Sequence, residues 1–264
     1  MKRKSKNLRC PTWSHLDLPA VTGALLFFAL LQPDPAFGQN SARLGSSDPF
    51  VDVQALEPTI RVELRYATAN NFMHRPVYPP IARCYLRLPV AEQLRAVQRE
   101  LRSQGLGLKL FDCYRPRPVQ RLLWAVVPDE RYVANPAKGS RHNSGAAVDL
   151  TLVDGSGAEL PMPTPYDDFT ERAHRSYQRL PAAALVNRER LAAAMVRHGF
   201  VPLPTEWWHF DSADSDRHAP ADIDFAQLAA ATPPIGGAAQ PSEAELRCAG
   251  RSAGSCGRAG GGRP

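Results

Sequence analysis

The 264-residue chain is 44% hydrophobic and 22% charged, a globular composition that excludes wholesale disorder, collagen and coiled coil and allows one sizeable core with tails. Its net charge of +6 sits mostly at the ends, where residues 1–38 carry five Lys/Arg against Asp17 and Asp34 and residues 240–264 set Arg247, Arg251, Arg258 and Arg263 against Glu243 and Glu245. What lies between is close to neutral, so no concentrated basic face is left for nucleic acid.

The chain opens on MKRKSKNLR, and Val21–Leu31 is an apolar run of signal-peptide length, too short to span a bilayer comfortably. Ala36-Phe37-Gly38 puts small residues at both positions a signal peptidase reads. Residues 1–38 are therefore expected to be a signal peptide cleaved after Gly38, with export to the periplasm or medium and no membrane anchor afterwards. No cysteine follows at the cleavage point, which argues against a lipoprotein.

Residues 48–228 are expected to form one domain. Ile60, Val62, Leu64 and Tyr66 alternate with polar residues as in a half-buried strand. Val90, Leu94, Val97 and Leu101 recur at helical spacing after Pro89, with Gly105 as the stop. Leu106, Leu108 and Leu110 alternate again and run into FDCYRP, where Pro116 and Pro118 end the strand. A short helix follows from Val119 to Val126. Val148, Leu150 and Leu152 predict a strand with Asp149 on the face opposite its apolar row. Residues 182–198 predict a second long helix, and the aromatics of TEWWHF suit a strand. Strands and helices mix without a regular βαβ rhythm, so the expected class is α+β. From residue 229 to 264, Gly, Pro, Ala and Ser crowd out large apolar side chains, which predicts a disordered tail. After signal removal Cys84, Cys113, Cys248 and Cys256 remain in an oxidising compartment, and of their three possible pairings Cys84–Cys113 with Cys248–Cys256 is favoured.

Polar groups crowd three segments beside these strands: YRP at 114–116, SRHNSGAAVD at 140–149 and EWWH at 206–209. His142, Asp149 and His209 offer two imidazoles and a carboxylate, a donor set suited to zinc with a fourth position left for water. Such a site needs a base to take the proton, and Glu206 is the candidate. On a regular strand Glu206 and His209 would face opposite ways, so both can serve one site only if the backbone bends there. Residue by residue, each of these groups could equally be structural.

SxHxxGxAxD at 140–149 with ExxH at 206–209 and YRP upstream resembles the zinc D-alanyl-D-alanine dipeptidases, which include the vancomycin-resistance dipeptidase. LRYATANNF at 64–72, DLTL at 149–152 and PMPTPYD at 161–167 extend the resemblance from about Val62 to Phe210. It implies a small α+β domain with a central antiparallel sheet, shared with zinc D,D-carboxypeptidases and the hedgehog signalling domain. By the same resemblance one zinc ion per chain is held by His142, Asp149 and His209, and Glu206 is the general base. Arg115 is then the arginine that polarises the scissile carbonyl. Tyr66 and Asp167 fall where the family surrounds the substrate ammonium, and Ser140 where a hydroxyl meets the substrate near its carboxylate. A turn role for Asp167 and a helix cap for Ser140 are the local alternatives.

The resemblance implies hydrolysis of the small molecule D-Ala-D-Ala in cell-wall metabolism. The alternatives are a D,D-carboxypeptidase that trims peptidoglycan stems with the same chemistry, and a non-catalytic zinc module that binds the wall. Trp207 and Trp208 are expected to pack beside the metal, while His74, His174 and His198 carry no motif and are expected at the surface or at helix ends.

Overall fold

Two long strands lie at the centre of the main sheet, β4 (Leu106–Asp112) built on alternating leucines and β5 (Ala147–Asp154) on alternating valine and leucines. A computed structural model describes residues 48–232; the expected signal peptide, the Cys248–Cys256 pair and nearly all of the expected tail lie outside them. N-terminal to this pair come β1 (Phe50–Asp52), a single-turn helix α1 (Val53–Leu56), β2 (Arg61–Val62) and β3 (Tyr85–Arg87). After β5 the edge of the sheet is a hairpin of β6 (Phe200–Pro202) and β7 (His209–Ser212). The main sheet has the order β2-β4-β5-β7-β6, and β1 and β3 form a separate antiparallel pair. All ladders of the main sheet are antiparallel except β2–β4, which is parallel, so the expected antiparallel sheet carries one parallel edge.

The helices stand close to their expected places. In α2 (Leu88–Arg102) Pro89 occupies the first turn, and Val90, Ala91, Leu94, Val97 and Leu101 are buried at helical spacing. The remaining helices are α3 (Arg117–Val126), the short α4 (Arg141–Ser144), α5 (Ala182–Arg197) and α6 (Phe225–Ala231). α6 continues past the expected domain boundary at 228, because Asp224 caps its first turn and Phe225 and Leu228 are buried. Among the described residues no helix is long and apolar enough to cross a membrane.

Two strand expectations are corrected. The run from Ile60 to Tyr66 pairs only over Arg61–Val62 and then winds into a 3-10 turn at Arg65–Ala67. The cause lies in its partner: β4 shifts register between Leu110 and Asp112, so no straight edge continues beyond Leu110. The turn carries the Tyr66 ring into the interior, where it is 2% exposed. In TEWWHF only His209 and Phe210 join β7; the residues before them form the loop 203–208.

Cys84, just before β3, and Cys113, just after β4, form a disulfide with Cα atoms 5.2 Å apart. It fastens the strand end that leads directly into Arg115. A Cys84→Ser/Cys113→Ser variant is expected to lose about 2–4 kcal/mol, since the bridge closes a loop of about 30 residues in the unfolded chain. Urea unfolding of oxidised wild type beside the variant measures it, and equal midpoints would contradict it.

Candidate active site

Asp149 on β5 and His209 on β7 are direct cross-strand partners, so their side chains leave the sheet on the same face. His142 reaches the same place from α4. Ser140 caps that helix, its Oγ accepting from the His142 N–H at 3.2 Å, and Asn143 returns the bond to the Ser140 N–H at 2.9 Å. Gly145 then turns the chain into β5 with φ +71°, and a Cβ there would lie 2.3 Å from the Phe50 ring, so both backbone and space call for glycine.

The three donors converge as a small triangle. His142 Nε2 lies 3.2 Å from His209 Nδ1 and 3.3 Å from Asp149 Oδ1, and His209 Nδ1 lies 2.9 Å from Asp149 Oδ1. A tetrahedral ion with bonds of roughly 2.1 Å sets its ligand atoms roughly 3.4 Å apart, so the triangle has the size that zinc requires. The far side of every donor is also occupied. His142 Nδ1 pairs with the Cys113 carbonyl at 2.7 Å, His209 Nε2 with Asp211 Oδ1 at 3.0 Å, and Asp149 Oδ2 accepts from the Tyr166 hydroxyl at 2.8 Å. Outer partners of this kind fix the tautomer and orientation of metal ligands, and the donor set therefore fits the ion.

The electrostatics favour a cation in the same place. Burial works against the charge of Asp149, but His142 and His209 outweigh it and hold the carboxyl well below the usual range. Burial likewise opposes a charged His209, yet its bonds to Asp149 and Asp211 raise the imidazole well above its ordinary value. Glu206 is 5% exposed, its Oε2 is 3.9 Å from His209 Nδ1, and burial pushes its carboxyl up to about 8. It precedes β7 in the loop 203–208, and this departure from strand geometry lets Glu206 and His209 face one cavity.

That cavity, about 390 Å³, is also lined by Tyr66, Arg115, Ser140 and Asp167. Arg115 is 6% exposed; its Nε and Nη2 donate to Asp112 Oδ2 at 3.0 and 2.6 Å, and its Nη1 to Gln120 Oε1 at 2.8 Å. Each terminal nitrogen keeps a second N–H, and Nη2 stands 3.9 Å from Asp149 Oδ2. Asp167 adopts φ +62°; its Oδ1 accepts from the Tyr66 hydroxyl at 3.3 Å and its Oδ2 from the Phe72 N–H at 3.2 Å. Burial pushes the Asp167 carboxyl up to about 8. Ser140 serves as a cap, and its O–H remains free to donate into the cavity.

The tryptophans form a buried wall, with Trp208 edge-on to Tyr166 at 5.4 Å and Trp207 Nε1 donating to Thr164 Oγ1 at 3.0 Å. His74 is exposed, His174 pairs with the Tyr132 hydroxyl, and His198 at the end of α5 pairs with Glu100. None of the three joins the donor triangle. Three groups at the site escaped the sequence reading: Asp112, Tyr166 and Asp211. Asp211 had a signal, because two residues along a strand from His209 means the same face. Asp112 and Tyr166 meet their partners only through the β4 bulge and the 161–167 loop, and no spacing announces them. Tyr166→Phe, which frees Asp149 Oδ2, is expected to weaken zinc affinity by roughly 10–100-fold. Competition with a chelator measures it, and an unchanged affinity would show that the hydroxyl is not needed.

The sequence profile of a family described as D-ala-D-ala dipeptidase matches residues 46–227. A D-alanyl-D-alanine dipeptidase of Escherichia coli (strain K12) is 37% identical over 168 residues, covering 64% of this chain and 86% of that protein. Another from Enterococcus faecium is 32% identical over 171 residues, covering 57% and 85%. A solved structure described as VanYB in complex with D-Alanine-D-Alanine is 17% identical, with a TM-score of 0.34 over 51% of this chain and 75% of that one, too loose a match to argue from.

Proposed function

Because the chain belongs to the D-ala-D-ala dipeptidase family of M15 peptidases, we propose that it is an exported zinc dipeptidase that hydrolyses D-Ala-D-Ala to two molecules of D-Ala. The observation that carries this reading is the donor triangle of His142, Asp149 and His209 with the buried carboxyl of Glu206 beside it, 3.9 Å from His209 Nδ1. These three residues would hold one zinc ion per chain, which would supply Lewis acidity to the reacting water and carbonyl. Glu206 takes the proton from the water and delivers it to the leaving amine, a role for which its place beside the donors suits it, with Oε2 3.9 Å from His209 Nδ1. Arg115 turns its remaining N–H groups towards the oxyanion, and its bonds to Asp112 and Gln120 keep it from reorienting during the reaction.

Asp167 and Tyr66 hold the substrate ammonium. Among the described residues no cation pairs directly with this carboxyl, which burial pushes up to about 8 despite Arg115 across the cavity, and an ammonium would reverse that shift. Ser140 donates its O–H to the substrate carboxylate. Export rests on the N-terminal reading, with Val21–Leu31 as the apolar core of a signal peptide.

The test compares D-Ala-D-Ala with N-acetyl-D-Ala-D-Ala on the purified chain, with and without chelator. Acetylation replaces the ammonium by an amide that cannot pair with Asp167, so kcat/KM is expected to fall by at least ~10²-fold. Comparable values on both substrates would replace the dipeptidase by a carboxypeptidase that trims longer stems. Activity that survives complete removal of metal would end the reading altogether.

A further inference from the structure

One residue outside the cavity holds the loop that carries Glu206 at three points and the first residue of β7 at a fourth. Arg175 lies in the irregular segment before α5. Its Nε donates to the Leu203 carbonyl at 2.9 Å, and its Nη2 donates to those of Trp207 at 2.9 Å and His209 at 3.2 Å. Its backbone N–H donates to the Pro204 carbonyl at 3.0 Å. The guanidinium carbon sits 4.5 Å from the centre of the Phe210 ring. Burial pulls the Arg175 pKa down only to about 10, so the group stays charged. From the sheet side, the Leu150 N–H donates to the Trp208 carbonyl at 3.1 Å. The main chain on both sides of Glu206 is therefore pinned: before it by Arg175 at Leu203 and Pro204 and by the Thr205 hydroxyl, which donates to the Arg131 carbonyl at 2.7 Å, and after it by Arg175 and Leu150.

Arg175 is itself held in place. Arg188 on α5, 1% exposed, donates from Nη1 to the Tyr177 carbonyl at 2.7 Å and to that of His174 at 3.5 Å. The two arginines thus connect α5 to the 174–177 segment and that segment to the loop 203–208. Arg175 does not line the cavity, so it has no route to the substrate.

We propose that Arg175 is a positioning residue for hydrolysis: its guanidinium sets the loop 203–208 so that Glu206 faces the donors His142, Asp149 and His209. The proposal rests on Glu206 as the base. Beyond Pro202 the β6–β7 ladder ends, with the Leu203 N–H still donating to the His209 carbonyl at 3.2 Å, and a displacement of about 1 Å at a reacting group costs up to ~10²-fold in rate. A planar fork of donors spans three carbonyls; the compact ammonium of lysine does not.

The test is a double-mutant cycle on the zinc-loaded full chain with Arg175→Lys and Glu206→Gln. Arg175→Lys alone is expected to lower kcat by roughly 10–100-fold, with KM and zinc affinity each within roughly threefold of wild type. Acrylamide quenching of tryptophan fluorescence, a readout independent of activity, should increase as the loop carrying Trp207 and Trp208 loosens. In the Glu206→Gln background, Arg175→Lys should lower the residual kcat by less than about twofold, because the group it positions is already gone. The same factor in both backgrounds, an unchanged kcat in Arg175→Lys, or a far-UV spectrum showing that this variant has lost its fold would each overturn the proposal. Undiminished kcat in Glu206→Gln would remove the base assignment beneath it, and that result appears without touching Arg175.

Discussion

Glu206→Gln is expected to lower kcat by roughly 10²–10⁴-fold, the range general base catalysis contributes, while zinc stays bound. The amide keeps the size of the carboxyl and its place in the loop but cannot take a proton. Glu206 Oε2 lies 3.9 Å from His209 Nδ1, against 2.9–3.3 Å among the three donors themselves, so it stands beside the triangle rather than in it. His209→Ala should do the opposite: it removes one of three ligands and leaves Asp211 and Asp149 without their shared partner, so zinc is lost along with activity. Metal content by mass spectrometry, set against kcat for both variants, separates the roles. Equal zinc loss in the two would make Glu206 a ligand.

Arg115→Ala is expected to damage both reaction and fold. On the reaction, removing an oxyanion donor costs roughly 10²–10³-fold in kcat. On the fold, it strips the two Nε and Nη2 bonds from Asp112, which is 0% exposed and keeps only the Tyr78 hydroxyl at 2.7 Å. A carboxylate left buried without its cation costs about 3–5 kcal/mol. Arg115→Lys separates the two effects, because it keeps a charge near Asp112 but cannot bond Asp112 and Gln120 together while still facing the cavity. It should retain most of the stability and little of the activity. A lysine variant with wild-type kcat would mean that charge alone suffices and that the fork geometry of Arg115 is irrelevant.

How much of this was legible differs by element, for physical reasons. The helices α2 and α5 and the strands β4 and β5 carry period-3.6 or period-2 patterns long enough to outvote local noise, and they stand where those patterns put them. The stretch from Ile60 to Tyr66 shows the same alternation and mostly fails to pair, because the outcome depends on a bulge in a strand more than forty residues away. The coming together of His142, Asp149 and His209 was legible from residue chemistry and the family resemblance, and the contradiction between ExxH spacing and strand geometry correctly called for a bend before His209. The outer partners were not legible in the same way. Tyr166 reaches Asp149, and Arg175 reaches the Glu206 loop, from segments without periodicity, where only the folded chain brings hydroxyl and guanidinium to their acceptors.

The in-register pairing of Asp149 with His209 has a bearing on how the sheet is assembled. A one-residue slip between β5 and β7 would send either Asp149 or His209 to the opposite face and dissolve the triangle. Only the correct ladder can therefore capture an ion with all three donors, and capture in turn biases the nascent hairpin against its misaligned alternatives. An ion held there would check strand alignment as well as take part in the reaction.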